Sequence, residues 1–306
     1  MTGKLLTEGW GYHATESRRF AAELEAAATG PIEPEDLVRF VRVATHTLGE
    51  HLEDWPRAQR LAERVMSGRN PDAATGKAWA HLSIARSLAG DPAGAAEAEL
   101  AWMGAASDGP GAAAVELKFM LVAALVGSGR ADAAEPLYLA AVDLARRTEA
   151  PGVAEAANRV SGALATDLLE APSRDPAEAA LMRLAAEASH EFALRGGGWY
   201  EDQVGHYLRA LVANVGGEPD RALRHVEAAT ALIEANGGSP IDEAFLHLTA
   251  AHARHLRGEA PAAAEALARS DAIAATFDKP GLLAWHADER ARVFPNLPLR
   301  VIAVDA

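Results

Sequence analysis

The stretch that decides the fold runs Trp79-Ala-His-Leu-Ser-Ile-Ala-Arg-Ser-Leu-Ala-Gly-Asp-Pro-Ala-Gly-Ala95. Its first part repeats apolar side chains at three-residue steps, namely Trp79, Leu82, Ala85 and Leu88. This period predicts a helix with one apolar face. Gly90 suits the left-handed conformation that ends many helices, while Asp91 and Pro92 suit the first turn of a new helix. The stretch therefore predicts two helices joined by a tight turn.

The same turn recurs along the chain, which predicts a repeat architecture. Its second residue is Asp54, Asp91, Arg130, Asp175, Glu218 and Glu259, so the spacings are 37, 39, 45, 43 and 41 residues. A second series of helix breakers lies between these turns, at Pro34, Pro71, Pro110, Pro151, the glycines 196–198, Pro240 and Pro280. Two interleaved series with one period indicate paired helices.

These breakers place each predicted helix. First helices are expected near 35–52, 72–89, 111–128, 152–169, 200–216 and 241–257. Second helices are expected near 56–67, 93–106, 132–148, 176–195, 219–236 and 261–276. Further helices near 14–28 and 281–293 would cover the ends of the array.

The pattern resembles that of the tetratricopeptide repeats. The residues that match at the family's spacing are Trp79, Leu82, Ser83, Gly90, Asp91 and Ala95, and a second unit matches in part at Leu121, Gly129, Ala134, Tyr138 and Ala141. The other units match at the turn and its alanine, and all units exceed the family's length of about 34 residues. The resemblance implies an all-α fold, a right-handed α–α superhelix of about six helix-turn-helix repeats with capping helices.

The resemblance covers residues 35–276 and implies a single domain over 1–306. Residues 1–34 would form an N-terminal cap, and residues 277–306 a C-terminal cap and tail. In this family the first helices line a concave groove, which gives the expected location of a ligand.

Composition limits the partners. The formal net charge is −14, which argues against nucleic acid and against an anionic membrane surface. No apolar run approaches the roughly 18 residues that span a bilayer. There is no cysteine, so thiolate catalysis and cysteine-based metal sites are excluded. With no apolar leader segment at Met1, we expect a cytoplasmic protein, and the abundance of alanine and arginine suggests a bacterial one.

Catalytic motifs are missing from the sequence. Residues 75–78, Thr-Gly-Lys-Ala, resemble the end of a phosphate-binding loop, but Pro71 stands where its first glycine belongs and Ala78 replaces the magnesium-binding hydroxyl. The sequence also lacks the Gly-x-Ser-x-Gly and His-Glu-x-x-His motifs. We therefore predict no cofactor, no catalytic residue and no metal site.

Candidate ligand-binding residues follow from alignment of the repeats on their turns. The six selected are Tyr207, Asn214, His252, His255, Phe119 and Glu50. The same alignment places Phe40, Val43, Lys77 and Leu211 on the groove side. His252 and His255 share a helix face, whereas His247 and His252 are five residues apart, about 140° around an α-helix.

Three functions remain open at this stage. The first is a binding module that holds a peptide, a protein segment or a small ligand in its groove. The second is an enzyme of bacterial specialised metabolism with a groove active site that uses His252 and His255. The third is a self-associating scaffold, a homodimer for example, driven by the apolar residues after Pro295.

Overall fold

The computed structural model describes residues 2–150 and 152–294, and these residues contain helices and turns but no strand. The α-helices are α1 Thr2–Gly9, α2 Ser17–Ala27, α3 Pro34–Thr45, α4 Trp55–Met66, α5 Gly76–Ala89, α6 Pro92–Ala105, α7 Pro110–Gly127, α8 Ala131–Arg147, α9 Val153–Glu170, α10 Pro176–Gly196, α11 Trp199–Val215, α12 Pro219–Asn236, α13 Pro240–Leu256, α14 Ala260–Ala274 and α15 Pro280–Val293. A π-helical turn, His46–His51, follows α3 directly. The predicted all-α helical repeat is confirmed.

The predicted helices agree with the observed ones except in three places. Helix α1 was not expected. Helix α5 begins at Gly76 rather than near 72, because the Asp72 carboxylate accepts hydrogen bonds from the amides of Ala74 and Thr75 at 2.9 and 2.8 Å and forms a turn there. The helix expected over 35–52 changes at His46 into the π-turn.

The chain forms two compact units. Unit 1 contains residues 1–160 and 175–181, and unit 2 contains residues 161–174 and the chain from 182 onward. The single domain expected over 1–306 stays a prediction. The apolar tail after Pro295 lies outside the described residues. The hypothesis of a self-associating scaffold driven by this tail therefore stays a prediction.

Unit 1 is built from the helix pairs α3–α4, α5–α6 and α7–α8. The α5–α6 turn shows why the sequence pairs helices. Gly90 has a φ of +88°, which strongly favours glycine, and Asp91 caps α6 by accepting from the Gly94 amide at 2.9 Å. The buried Ser83 hydroxyl donates to the Ala95 carbonyl at 2.9 Å, which brings the two helices into close contact.

Helix α7 corrects one sequence expectation. By length and composition this helix is apolar enough to cross a membrane, with a mean hydropathy of 1.5 over 18 residues. The sequence expectation overlooked this helix because Glu116 and Lys118 interrupt its apolar run. The core helix of a soluble protein passes the same test, and α7 packs against α5 and α8.

Unit 2 contains the pairs α11–α12 and α13–α14, and α15 packs against α13. Its apolar core draws on α11 to α14 and ends at the buried Phe294. A buried polar contact reinforces it, because the Ser270 hydroxyl lies 2.7 Å from the Ala244 carbonyl and 2.8 Å from Nε2 of His286. Both side chains are buried and contact each other, which argues for a packing role.

Candidate functional site

A cavity of about 800 Å³ lies within unit 1. It is lined by the first turns of four successive first helices, α3, α5, α7 and α9, together with the end of α6. Its residues include Pro34, Glu35, Val38, Ala74, Lys77, Trp102, Asp108, Ala113, Val115, Glu116, Val153, Glu155 and Arg159. The helix starts meet here because each first helix begins at the same point of its repeat.

The cavity wall combines a rigid apolar part with charged side chains. Trp102 is buried, and its indole N–H donates to the Ala113 carbonyl at 3.1 Å, which holds the ring against α7. Lys77 forms an ion pair with Glu116 at 2.8 Å. This wall therefore offers both an apolar surface and exposed polar groups.

The charges of the lining are unequal. Four carboxylates, those of Glu35, Asp108, Glu116 and Glu155, stand against two basic side chains, Lys77 and Arg159. Since Lys77 already pairs with Glu116, three carboxylates remain against one guanidinium. The cavity is consequently acidic, like the protein as a whole.

Two predicted site residues lie in unit 1, away from this lining. Phe119 is 1% exposed, and its ring packs edge-on against Tyr138 with 5.8 Å between centroids. Glu50 belongs to the π-turn and accepts from Nδ1 of His46 at 2.7 Å. Lys77 lines the cavity, whereas Phe40, like Phe119, is fully buried.

Two further predicted residues, Tyr207 and Asn214, lie on helix α11 of unit 2. Asn214 is buried, and its amide donates to the Thr249 carbonyl at 3.0 Å, which ties α11 to α13. Tyr207 is partly buried and packs against the unit 2 core, and burial raises the pKa of its hydroxyl well above its usual range. A ligand role for either residue stays a prediction.

The α13 histidines divide between two sides of the helix. His252 and His255 both face the ring of Phe294, at centroid distances of 6.4 and 5.5 Å. His247 instead lines a cavity of about 290 Å³ beside Arg254. His247 and His252 therefore lie on different sides of α13, as the angle between residues five apart on an α-helix predicts. Burial is the main cause that lowers the pKa of His252 to about 4, and the neighbouring His255 acts in the same direction.

Two clusters of potential metal ligands exist among the described residues, and sequence reasoning missed both. The first, in unit 1, is His13, His46 and His51, whose ligand atoms all lie within 4.8 Å of one another. Trp10 stacks on His13 with 4.1 Å between centroids. Burial is the main cause that lowers the pKa of His51, and the neighbouring His46 and His13 lower it further. The available sequence signal was the pair His46 and His51 at a spacing of five.

The second cluster, in unit 2, is His190, Asp202 and His206. Nε2 of His190 lies 2.6 Å from the Asp202 carboxylate, and the Arg209 guanidinium lies 3.0 Å from Nδ1 of His190. Arginine can only donate, so Nδ1 accepts and Nε2–H donates to Asp202. This ring has no lone pair left for a metal.

His225 extends the second cluster, with its Nδ1 3.0 Å from Nδ1 of His206. Burial lowers the pKa of His225 to about 4, and the neighbouring charges of Arg209, His206, Arg221 and His190 act in the same direction. The His225 ring is therefore neutral in the folded protein at neutral pH.

Comparison with known proteins is informative about fold alone. No protein-family model matches the chain, and no curated protein sequence matches it significantly. The TPR-like repeats of a protein described as a kinesin light chain from Podosopora anserina align with 81% of this chain and 99% of that chain, at 14% identity and a TM-score of 0.40. RapI in its apo form aligns with 96% of this chain and 84% of that chain, at 14% identity and a TM-score of 0.47.

Proposed function

We propose that the protein is a binding module that holds a peptide or an extended protein segment in the unit 1 cavity. The observation that carries this proposal is a cavity of about 800 Å³ formed by the first turns of four successive helices. Ligand sites in proteins fall in the range of about 300–1,000 Å³ and combine an apolar wall with a few polar groups. The Trp102 wall with its surrounding carboxylates has this composition.

The chemistry of the cavity favours one class of ligand. The indole of Trp102 and the side chains of Val38 and Val115 would accept an apolar anchor residue. The excess of carboxylates would pair with lysine or arginine next to that anchor. The net charge of −14 would steer a basic segment toward the protein at low salt.

The other functional expectations continue as proposals. They are a cytoplasmic location, no binding of nucleic acid or membrane, and a bacterial source, with a small ligand or a homodimer as further options. Catalysis by His252 and His255 also stays open. The partly buried His252 and the exposed His255 both lie against the ring of Phe294.

The test selects random peptides displayed on phage against the immobilised protein and measures the affinity of enriched peptides by calorimetry. The variant Glu35→Lys with Glu155→Lys reverses two exposed cavity charges. Its control, Glu97→Lys with Glu149→Lys, makes the same charge change at exposed positions of unit 1 outside the cavity lining.

We expect enriched peptides that combine basic and large apolar residues. The cavity variant should bind them at least about tenfold more weakly than the control, a difference of about 1.4 kcal/mol. Equal affinity of the cavity variant and the control would refute the proposal, and so would enrichment of acidic peptides.

A further inference from the structure

Three imidazole rings from two distant parts of the sequence meet in unit 1. His13 lies in the turn between α1 and α2, and its Nε2 is 3.2 Å from Nε2 of His46. Nε2 of His51 is 3.1 Å from the same His46 atom. The cluster shares no residue with the lining of the proposed peptide cavity.

The π-turn explains how His46 and His51 come together. Residues five apart diverge by about 140° on an α-helix, but the wider π-turn, with its i→i+5 hydrogen bonds, returns the fifth residue to nearly the same face. The amide of Leu52 donates to the Thr47 carbonyl at 3.2 Å in this pattern. Single π-turns inside helices are frequent at functional sites.

Hydrogen bonds at the far side of two rings determine their tautomers. Nδ1 of His46 lies 2.7 Å from the Glu50 carboxylate, and Nδ1 of His13 lies 2.7 Å from the Trp10 carbonyl. Both partners can only accept, so each Nδ1 carries the proton. In the neutral rings both Nε2 atoms then present lone pairs, and they face each other at 3.2 Å. Two facing lone pairs repel each other, and a cation bound between the two atoms, either a proton or a metal ion, removes that repulsion.

We propose that His13, His46 and His51 bind one divalent transition-metal ion, with Zn²⁺ as the representative. For tetrahedral coordination at about 2.0–2.1 Å, ligand nitrogens are about 3.3–3.4 Å apart. The observed 3.1 and 3.2 Å are within a few tenths of an ångström of that value. Imidazole ligands suit Zn²⁺ and the other late first-row transition metals. Because the chain has no cysteine, imidazole nitrogen is its best ligand for such ions.

The surroundings resemble those of a built metal site. A carboxylate that holds the second nitrogen of a metal-binding histidine, as Glu50 does for His46, orients the ring and raises its basicity. Gly127 of α7 leaves room for Glu50, since a Cβ there would lie 2.5 Å from the carboxylate oxygen. His51 is exposed, so a fourth position is open to water or to a ligand.

The second histidine cluster lacks these features. His190 donates to Asp202 and accepts from Arg209, so its ring nitrogens are both occupied, and the guanidinium adds a positive charge beside it. This contrast assigns the metal to the first cluster.

The first test titrates ZnCl₂ into the full chain, previously stripped with EDTA, by calorimetry. We expect one tight site in the wild type and a loss of affinity of at least about tenfold in His51→Gln and in His13→Gln. His255→Gln, which replaces an exposed histidine of unit 2, serves as the matched control and should bind as the wild type does. Circular dichroism establishes that each variant is folded.

A second test measures fluorescence and leaves all three proposed ligands unchanged. Trp10 stacks on His13, so Co²⁺ bound at the site should quench the fluorescence of this indole. The quenched fraction should disappear in Trp10→Phe. The proposal is overturned if the wild type binds no Zn²⁺, if His13→Gln and His51→Gln bind it unchanged, or if Co²⁺ quenches Trp10→Phe as strongly as the wild type.

Discussion

Truncation of Phe119 distinguishes a core residue from a ligand contact. The repeat alignment predicts that this ring faces a ligand, whereas the structure buries it against Tyr138 with 1% exposure. Phe119→Ala should lower the free energy of unfolding of unit 1 by about 3–5 kcal/mol, through lost transfer energy and the cavity left behind. Phe119→Leu should cost less, because it retains most of the buried volume.

The assay is urea unfolding followed by tryptophan fluorescence, since four of the six tryptophans, Trp10, Trp55, Trp79 and Trp102, lie in unit 1. With an m-value of about 2–3 kcal/mol/M, a loss of about 4 kcal/mol moves the midpoint by about 1.3–2 M. A loss below about 1 kcal/mol in Phe119→Ala would refute the core assignment. Peptide binding lost in Phe119→Leu at full stability would favour the ligand role.

Three further perturbations follow from the structure. Gly90→Ala should lower the free energy of unfolding by about 1 kcal/mol because the φ of Gly90 is +88°. Gly104→Ala should be neutral or stabilising, because Gly104 lies in α6 with open space around it. Equal effects of the two variants in thermal unfolding would contradict this prediction. Asp91→Ala removes the cap on the Gly94 amide and should cost about 1 kcal/mol, which the urea midpoint reports. His225 stays neutral in the folded protein down to about pH 4 but is protonated below about pH 6.5 in the unfolded chain. The free energy of unfolding present at pH 7 should therefore fall by about 3 kcal/mol between pH 6.5 and 4. His225→Gln should flatten the resulting dependence of the melting temperature on pH, and an unchanged slope would count against this account.

The paired helices were predictable because their breakers act locally. Gly90 and Asp91 end one helix and begin the next through their own backbone and side-chain chemistry, so sequence alone identifies the turn. Helix α1 was missed because it has eight residues and no acidic residue in its first turn. The start of α5 was placed too early because the hydrogen bonds of Asp72 favour a turn over a longer helix.

The candidate sites were less predictable, because they depend on contacts between helices. The period that identified Phe119 and Asn214 marks the apolar face of a helix, and it does not separate a groove surface from a core. The grouping of His46 and His51 depends on a π-turn that α-helical geometry excludes, and His13 reaches them from 33 residues away. Lys77 is the second residue of α5 and lines the cavity, while its place on a concave groove stays a prediction.

Hydrogen–deuterium exchange of the full chain with a selected basic, apolar peptide tests the binding proposal most directly. The first amides of each helix lack intrahelical partners and exchange quickly, so a ligand seated over them should slow their exchange visibly. We predict protection at the starts of α3, α5, α7 and α9, within residues 34–38, 74–77, 110–116 and 153–159. Protection confined to α11 and α13 of unit 2, with none in these segments, would contradict the assignment of the binding surface to the unit 1 cavity.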